Sequence, residues 1–240
     1  VAHALTDAET VRHDDGSLAL HHGLDQRSVM AFIKASHLQA NIESISLLPE
    51  SAAVEVKRRA AGPIAQGLAL SRSHWAPLEL DLEIANTIYD VVGPRGLRDL
   101  NAEALRRSAD GPLLRPIRDA ARRILGARPD AILRFVHQGW GAIFKDVGEA
   151  TWFPDDDDVL DGRGGFPAHG DKTARPVFSS RLNGGTIVAS NQPQVALDAR
   201  AWPEGCAGAI DGVFAVVGAS GSVVPVLDRT ARTLTITCRW

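Results

Sequence analysis

Apolar residues change their period near Gly148, and that change limits the folds open to the chain. Before it they recur every three or four positions, the spacing of a helix face. After it the chain breaks into short runs rich in β-branched residues, separated by glycine and asparagine, as strands of an antiparallel sheet would be. Ser28 offers a helix cap, and Ala35, Leu38, Ile42 and Ile45 predict a helix that ends near Pro49. A second short helix is expected over residues 51–61. Gly62-Pro63 and the segment GLALSRSHW then read as a connection. Pro77, at a position that the first turn tolerates, opens the next helix. On it Leu80, Ile84, Ile88 and Val91 form one stripe, with Leu78, Leu82, Ala85 and Tyr89 beside it. Glu79, Glu83, Asn86 and Asp90 are left as the polar face, and so wide an apolar surface implies a largely buried helix.

Gly93-Pro94 and Gly96 punctuate the chain before a helix carrying Leu97, Leu100, Ala104 and Leu105, and a further amphipathic segment covers residues 113–125. Pro129 begins an aromatic helix on which Leu133, Val136, Trp140, Ile143, Phe144 and Val147 share a face, with its stop at Gly148. EATWF, PVFSSRL, GTIVAS, SVVPVL and TLTITCRW read as strands, with one more helix over residues 203–217. Helices first and strands afterwards predict an α+β fold: a helical N-terminal part packed on an antiparallel β-sheet, with one C-terminal helix. A chain of 240 residues suits one such domain over residues 29–240, preceded by an extended lead-in over residues 1–28 and carrying an acidic loop insertion at residues 153–175.

The charge balance removes some function classes. With 26 basic and 29 acidic residues the net charge is −3, which gives no electrostatic reason to expect nucleic acid or an anionic membrane as partner. No apolar run of about 18 residues suggests a membrane span, and the start lacks the basic-then-apolar pattern of a secretory leader. A cytoplasmic location is the expectation. Cys206 and Cys238 lie far apart and suit two buried thiols, with a single bridge between them left open.

The stretch FPDDDDVLDGRGGFPAHGD, from Phe153 to Asp171, concentrates aspartates around one histidine and invites a metal. Hard cations need several oxygens converging on one point, whereas adjacent carboxylates in an extended segment point apart. As a calcium loop it fails: with Gly162 as the loop glycine, Val159 takes the third position and Ala168 the twelfth, where a bidentate glutamate is needed. A solvated turn explains Asp, Gly and Pro at least as well. The expectation is no metal and no cofactor. No HExxH or paired CxxC occurs, and Gly218-Ala219-Ser220-Gly221-Ser222 ends in serine where a nucleophile elbow needs glycine. Gly162, Gly164 and Gly165 lack the spacing and the following helix of a dinucleotide fingerprint. No catalytic residue is therefore assigned.

What remains is apolar. His137, Trp140 and Phe144 on the aromatic helix, Trp75 before the wide buried helix, and Cys206 and Phe214 on the last helix are the candidate ligand-binding residues. The plainer alternative is a filled core, with His137 bonded to a backbone carbonyl at its edge.

Four strings also carry a resemblance: VMAFIKASHLQANIESI, SRSHWAPLELDLEIANTIYDVVG, ARPDAILRFVHQGWGAIFKDVGEATW and PEGCAGAIDGVFAVVGASGSVVPV. In this order, from about Met30 to Trp240, the chain resembles a paralogous domain family of unknown function abundant in myxobacteria. That family is similar to the fold of 4-vinyl reductase domains, heme-nitric-oxide-binding-like domains and Bet3-type trafficking subunits. The resemblance implies that Trp75 and Pro77 open a core helix and that Trp140, Gly148 and Glu149 turn the chain into the sheet. It implies too that Cys206, Gly208 and Gly212 lie on a final helix packed on that sheet, with a cavity between helices and sheet. The Tyr-x-Ser-x-Arg motif of the heme-binding branch is missing, since Tyr89 precedes Asp90, Val91, Val92 and Gly93, so heme is not expected. The cysteine-rich zinc cluster of some relatives is missing as well.

The function expected on these grounds is a non-catalytic cytoplasmic ligand-binding or regulatory accessory module, taking a small hydrophobic ligand or a protein partner at an apolar pocket between helices and sheet. Two alternatives stand beside it. One is an enzyme or pathway accessory enzyme with a polar site in the 153–175 loop, using His169, Asp171 and Asp161; the other is a homodimeric assembly module.

Overall fold

Strands of two or three residues, too short to leave a period in the sequence, set the frame at the N-terminal end. The computed structural model describes residues 30–110, 128–155 and 184–240. In it β1 (Phe32–Lys34) lies between β2 (Trp75–Pro77) and β3 (Phe144–Lys145), antiparallel to both. Ile33 and Ala76 point inward and are fully buried, whereas Lys34 and Trp75 stay on the outer side. The helix expected to begin at Ser28 starts instead after β1, as α1 (Ala35–Ser44), because Phe32–Lys34 are taken up in pairing with β2 and β3. A single 3-10 turn, Ile45–Leu47, closes α1 before Pro49.

The next two helices are α2 (Glu50–Arg59) and α3 (Ala61–Ala69). Helix α3 replaces the connection expected after Gly62-Pro63: Pro63 sits in its first turns, and Gly67 lies against Leu38 and Ile42, where a Cβ would meet the Ile42 side chain at 2.9 Å. The Gln39 side-chain amide donates to the Gly67 and Leu70 carbonyls at 3.1 and 2.8 Å, tying α1 to the end of α3.

The long helix α4 (Leu78–Asp110) is broken at Gly93, whose φ of 78° only glycine adopts freely, and Pro94 restarts it. Its first half buries Leu78, Leu82, Ile84 and Ile88, as the apolar stripes predict, and its second half buries Leu97 and Leu100. The aromatic helix expected from Pro129 to Gly148 is interrupted. Short α5 (Asp130–Leu133) and α6 (Val136–Ile143) are separated at Arg134 and Phe135, and Phe144 enters β3. The segment expected as a helix over residues 113–125, the strand PVFSSRL, the lead-in and all of the acidic insertion beyond Asp155 lie outside the described residues.

The second sheet is antiparallel in the order β4 (Glu149–Pro154), β5 (Gly184–Ser190), β7 (Thr233–Arg239), β6 (Ser222–Asp228). Alternation is strict: Ala150, Ile187, Leu234, Ile236, Cys238 and Val223 face inward. Gly148, with φ 76°, makes the turn into β4 so closely that a Cβ would fall 1.9 Å from the Ser190 carbonyl oxygen. Between β5 and β6 run α7 (Gln194–Asp198) and α8 (Ala201–Val217).

Helix α8 is the layer that joins the halves. Gly208 and Gly212 face the second half of α4, where added Cβ atoms would meet the Arg98 carbonyl oxygen at 2.5 Å and the Leu105 Cβ at 2.8 Å. These small residues let the two backbones approach more closely than ordinary side-chain ridges allow. Across that contact the Arg98 guanidinium bonds the Asp211 carboxylate and donates at 2.5 Å to the Val223 carbonyl. One partly buried cation thus links α4, α8 and β6. The fold is α+β, with helices in the N-terminal part, antiparallel sheets, and a C-terminal helix packed between them.

Candidate functional site

A buried carboxylate in an otherwise apolar core needs partners, because stripping its water without replacement costs several kcal/mol. Asp81 is such a group. It lies one turn before Ala85 and two before Ile88, within the apolar arc of α4, and it is 9% exposed. The Asn41 amide donates to Asp81 Oδ1 at 2.9 Å. His37 stands one turn before Asn41 on α1, so both side chains face the same side, and the Asp81 charge acts on the His37 imidazole. From α8, Cys206 brings its thiol within the field of the same carboxylate.

Burial decides the protonation of this group. It raises the Asp81 carboxyl above the usual carboxylate range, against the Asn41 hydrogen bond and the His37 charge, and it lowers His37 against the attraction of Asp81. Both shifts favour neutral forms. Burial, with Asp81 adding to it, also pushes the Cys206 thiol up, which leaves it protonated and a poor nucleophile.

Beside these polar groups lies an aromatic cluster. The Phe144 ring is 6.5 Å from that of His37, Trp140 stacks obliquely on Phe144 at 4.7 Å, and Trp202 meets both edge-on at 5.8 and 5.4 Å. Trp202, at the start of α8, donates its indole N–H to Gln192 Oε1 at 3.0 Å, and Gln192 Nε2 donates to the Val147 carbonyl at 2.9 Å. The Trp140 indole nitrogen is buried and has no acceptor among the described residues. α8 itself is capped from outside, its Ala201 N–H donating to Asn86 Oδ1 at 3.0 Å.

The residues expected to line one pocket are distributed as follows. Trp140 and Phe144 stand together, and Cys206 lies within the field of Asp81. Phe214 is buried at the other end of α8, edge-on to Trp240 at 5.6 Å. Trp75 lies on the outer side of β2, with the Lys34 ammonium 4.8 Å from its ring centre. His137 is on the exposed side of α6. Trp202, Gln192, Asp81, Asn41 and His37 were not among the expected residues. Asp81 carries the clearest signal, because helical spacing sets it opposite Glu79, Glu83, Asn86 and Asp90. No group of three or more metal-ligating side chains occurs among the described residues, and no described helix is long and apolar enough to cross a membrane.

No protein-family model matches the chain, and no curated protein is similar to it. Solved structures are similar in fold. One is a protein used to probe the function of heme distortion in the H-NOX family, 12% identical, with 87% of this chain and 95% of that one covered at a TM-score of 0.52. A Cs H-NOX mutant with 4-cyano-L-phenylalanine at site 5 is also 12% identical, with 86% and 96% covered at a TM-score of 0.51. At that identity the likeness is one of fold.

Proposed function

We propose that this chain is a non-catalytic ligand-binding module, regulatory or accessory in role, that holds a small and mostly apolar molecule between its helices and its sheet. The observation that carries this reading is the junction of the Trp140, Phe144 and Trp202 rings with His37, Asn41, Asp81 and Cys206: an indole N–H lacking an acceptor beside polar groups from three helices. A buried donor without a partner costs about 1–3 kcal/mol, which a ligand oxygen placed there would recover. The fold likeness to H-NOX structures supports a ligand role for this chain. A cytoplasmic location and kinship with the myxobacterial domains belong to this reading.

Heme does not suit these residues. The Tyr-x-Ser-x-Arg motif of the heme-binding branch is missing, since Tyr89 precedes Asp90, Val91, Val92 and Gly93, and His37 is the one described histidine that is not exposed. Cys206 is held as a thiol and so is a poor iron ligand. Native mass spectrometry of the chain purified from its own cells, followed by thermal shift against hydrophobic metabolites, tests the reading. Co-purification of a small organic molecule, or a rise in Tm, is expected; a chain that carries nothing and responds to nothing would sink it.

A second reading, homodimerisation, is favoured by the outer face of the second sheet. Phe153, Val224 and Val226 are exposed there on the two edge strands, and Pro225 leaves the β6 edge one amide donor short, so a face would associate more readily than an edge. Light scattering decides it, with Val226→Lys expected to dissociate a dimer.

A further inference from the structure

We propose that His37 and Asp81 form the polar end of this ligand site and select an uncharged molecule that carries a hydroxyl group on an apolar body. The inference rests on the ligand reading above and narrows it to a chemical class. Its geometry is that of a row: Trp202 and Trp140 meet Phe144, the Phe144 ring faces His37, and His37 shares the α1 face with Asn41, which is bonded to Asp81. An apolar body lying along the rings would bring its head to the His37–Asp81 pair.

The hydrogen-bond inventory leaves room there. Asn41 occupies Oδ1 of Asp81, and neither the other carboxyl oxygen nor the His37 imidazole has a hydrogen-bond partner among the described residues. A hydroxyl both donates and accepts, so it can serve a carboxyl and an imidazole at once. Charged heads fare worse. An ammonium needs Asp81 ionised and a carboxylate needs His37 protonated, and burial opposes both. The same burial that disfavours charge on Asp81 and His37 disfavours a charged head beside them. The remaining neighbour, the Cys206 thiol of α8, is also neutral.

Four probes of nearly one shape test this on the whole chain: toluene, benzyl alcohol, benzylamine and benzoate, titrated against tryptophan fluorescence and by calorimetry at neutral pH. Benzyl alcohol is expected to bind about tenfold more tightly than the other three, the worth of one or two net hydrogen bonds. Asp81→Asn should keep the preference, because an amide also donates and accepts. Asp81→Leu should bring benzyl alcohol within about twofold of toluene while toluene itself still binds. If Asp81→Leu does not fold, His37→Leu, on a partly exposed side chain, is expected to narrow the same ratio. Toluene equal to benzyl alcohol in the unaltered chain, or tighter binding of benzylamine or benzoate, would overturn the inference and leave the ligand reading standing. Failure of all four probes would overturn both.

Discussion

The two ends of α8 hold two aromatic clusters of similar composition and unlike surroundings. At the start Trp202 meets Trp140 and Phe144; at the far end Phe214 meets Trp240, which stacks on Trp152 at 6.0 Å. Ring separations are alike, and each cluster contains a buried indole nitrogen without an acceptor among the described residues, Trp140 in one and Trp240 in the other. An orphaned N–H is therefore weak evidence of a site when taken alone. What separates the clusters is their neighbourhood. Glycines close the far cluster, Gly185 under the Trp152 ring and Gly221 under Phe214, and burial pushes the nearby Cys238 thiol up to about 12. The near cluster is met by His37, Asn41, Asp81, Cys206 and Gln192. The far cluster has polar neighbours too, but they are paired with one another, Arg239 with Asp155 and Arg98 with Asp211; in the near cluster His37 and one oxygen of Asp81 have no hydrogen-bond partner among the described residues.

Truncation gives the coarsest way to break that contrast. Trp202→Ala is expected to cost about 3–5 kcal/mol by cavity formation, with a further loss because Gln192 Oε1 is left without its donor. Phe214→Ala falls in the same cavity range of about 3–5 kcal/mol but orphans no partner. Urea unfolding should rank Trp202→Ala as the more damaging. Equal losses would mean that the polar links of the near cluster carry no energy. A finer cut leaves the rings in place: Gln192→Leu unpairs the Trp202 N–H and the Val147 carbonyl together, for about 2 kcal/mol. A Tm unchanged by that substitution would show that neither group depends on Gln192.

The near cluster was only half legible in the sequence, for reasons that particular residues make plain. Trp140 and Phe144 announce themselves by helical spacing, even though α6 ends at Ile143 and Phe144 belongs to a strand. The stripes of α4 and the glycines of α8 are equally readable, since Leu78, Leu82, Ile84 and Ile88 are buried as their period requires. Trp202 stands one position before Pro203, where the helix was expected to start, so the spacing argument never reached it. β1, β2 and β3 have two or three residues each, and no alternation is visible at that length. Gln192 follows Asn191, whose φ of 55° marks a turn, and its role comes wholly from a tertiary fit to Val147 and Trp202. Asp81 was readable too, as an acidic residue among apolar neighbours at helical spacing.

Titration sharpens the contrast from another side. Because burial raises Asp81, its contribution to stability is complete below the ordinary value of 3.8 and is lost as pH rises through the raised value. Because burial lowers His37, its contribution is complete above 6.5 and is lost as pH falls through the lowered value. Asp81→Asn should therefore flatten the decline of Tm as pH rises from about 4, and His37→Gln the decline as pH falls from about 6.5. Cys238→Ala, in the far cluster, should leave the shape of the profile between pH 4 and 8 unaltered, since a thiol near 12 does not titrate there. A profile that no near-cluster substitution reshapes would place the titrating groups elsewhere.

The smallest effect discriminates best. Trp140→Phe and Trp240→Phe each delete a buried N–H that has no acceptor, along with part of a ring. Lost ring burial costs about 1 kcal/mol or more, and removal of the orphaned donor returns about 1–3 kcal/mol, so each variant should lie within about 1 kcal/mol of the original chain. Stability alone will not tell the two positions apart. Ligand response should: at Trp140 the deleted donor is the one a guest would use, so the Tm rise produced by a bound molecule should shrink, whereas Trp240→Phe should leave it intact. Equal responses in the two variants would make the clusters alike in function as well as in composition, and the indole N–H of Trp140 would then be an uncompensated cost of packing, as that of Trp240 is.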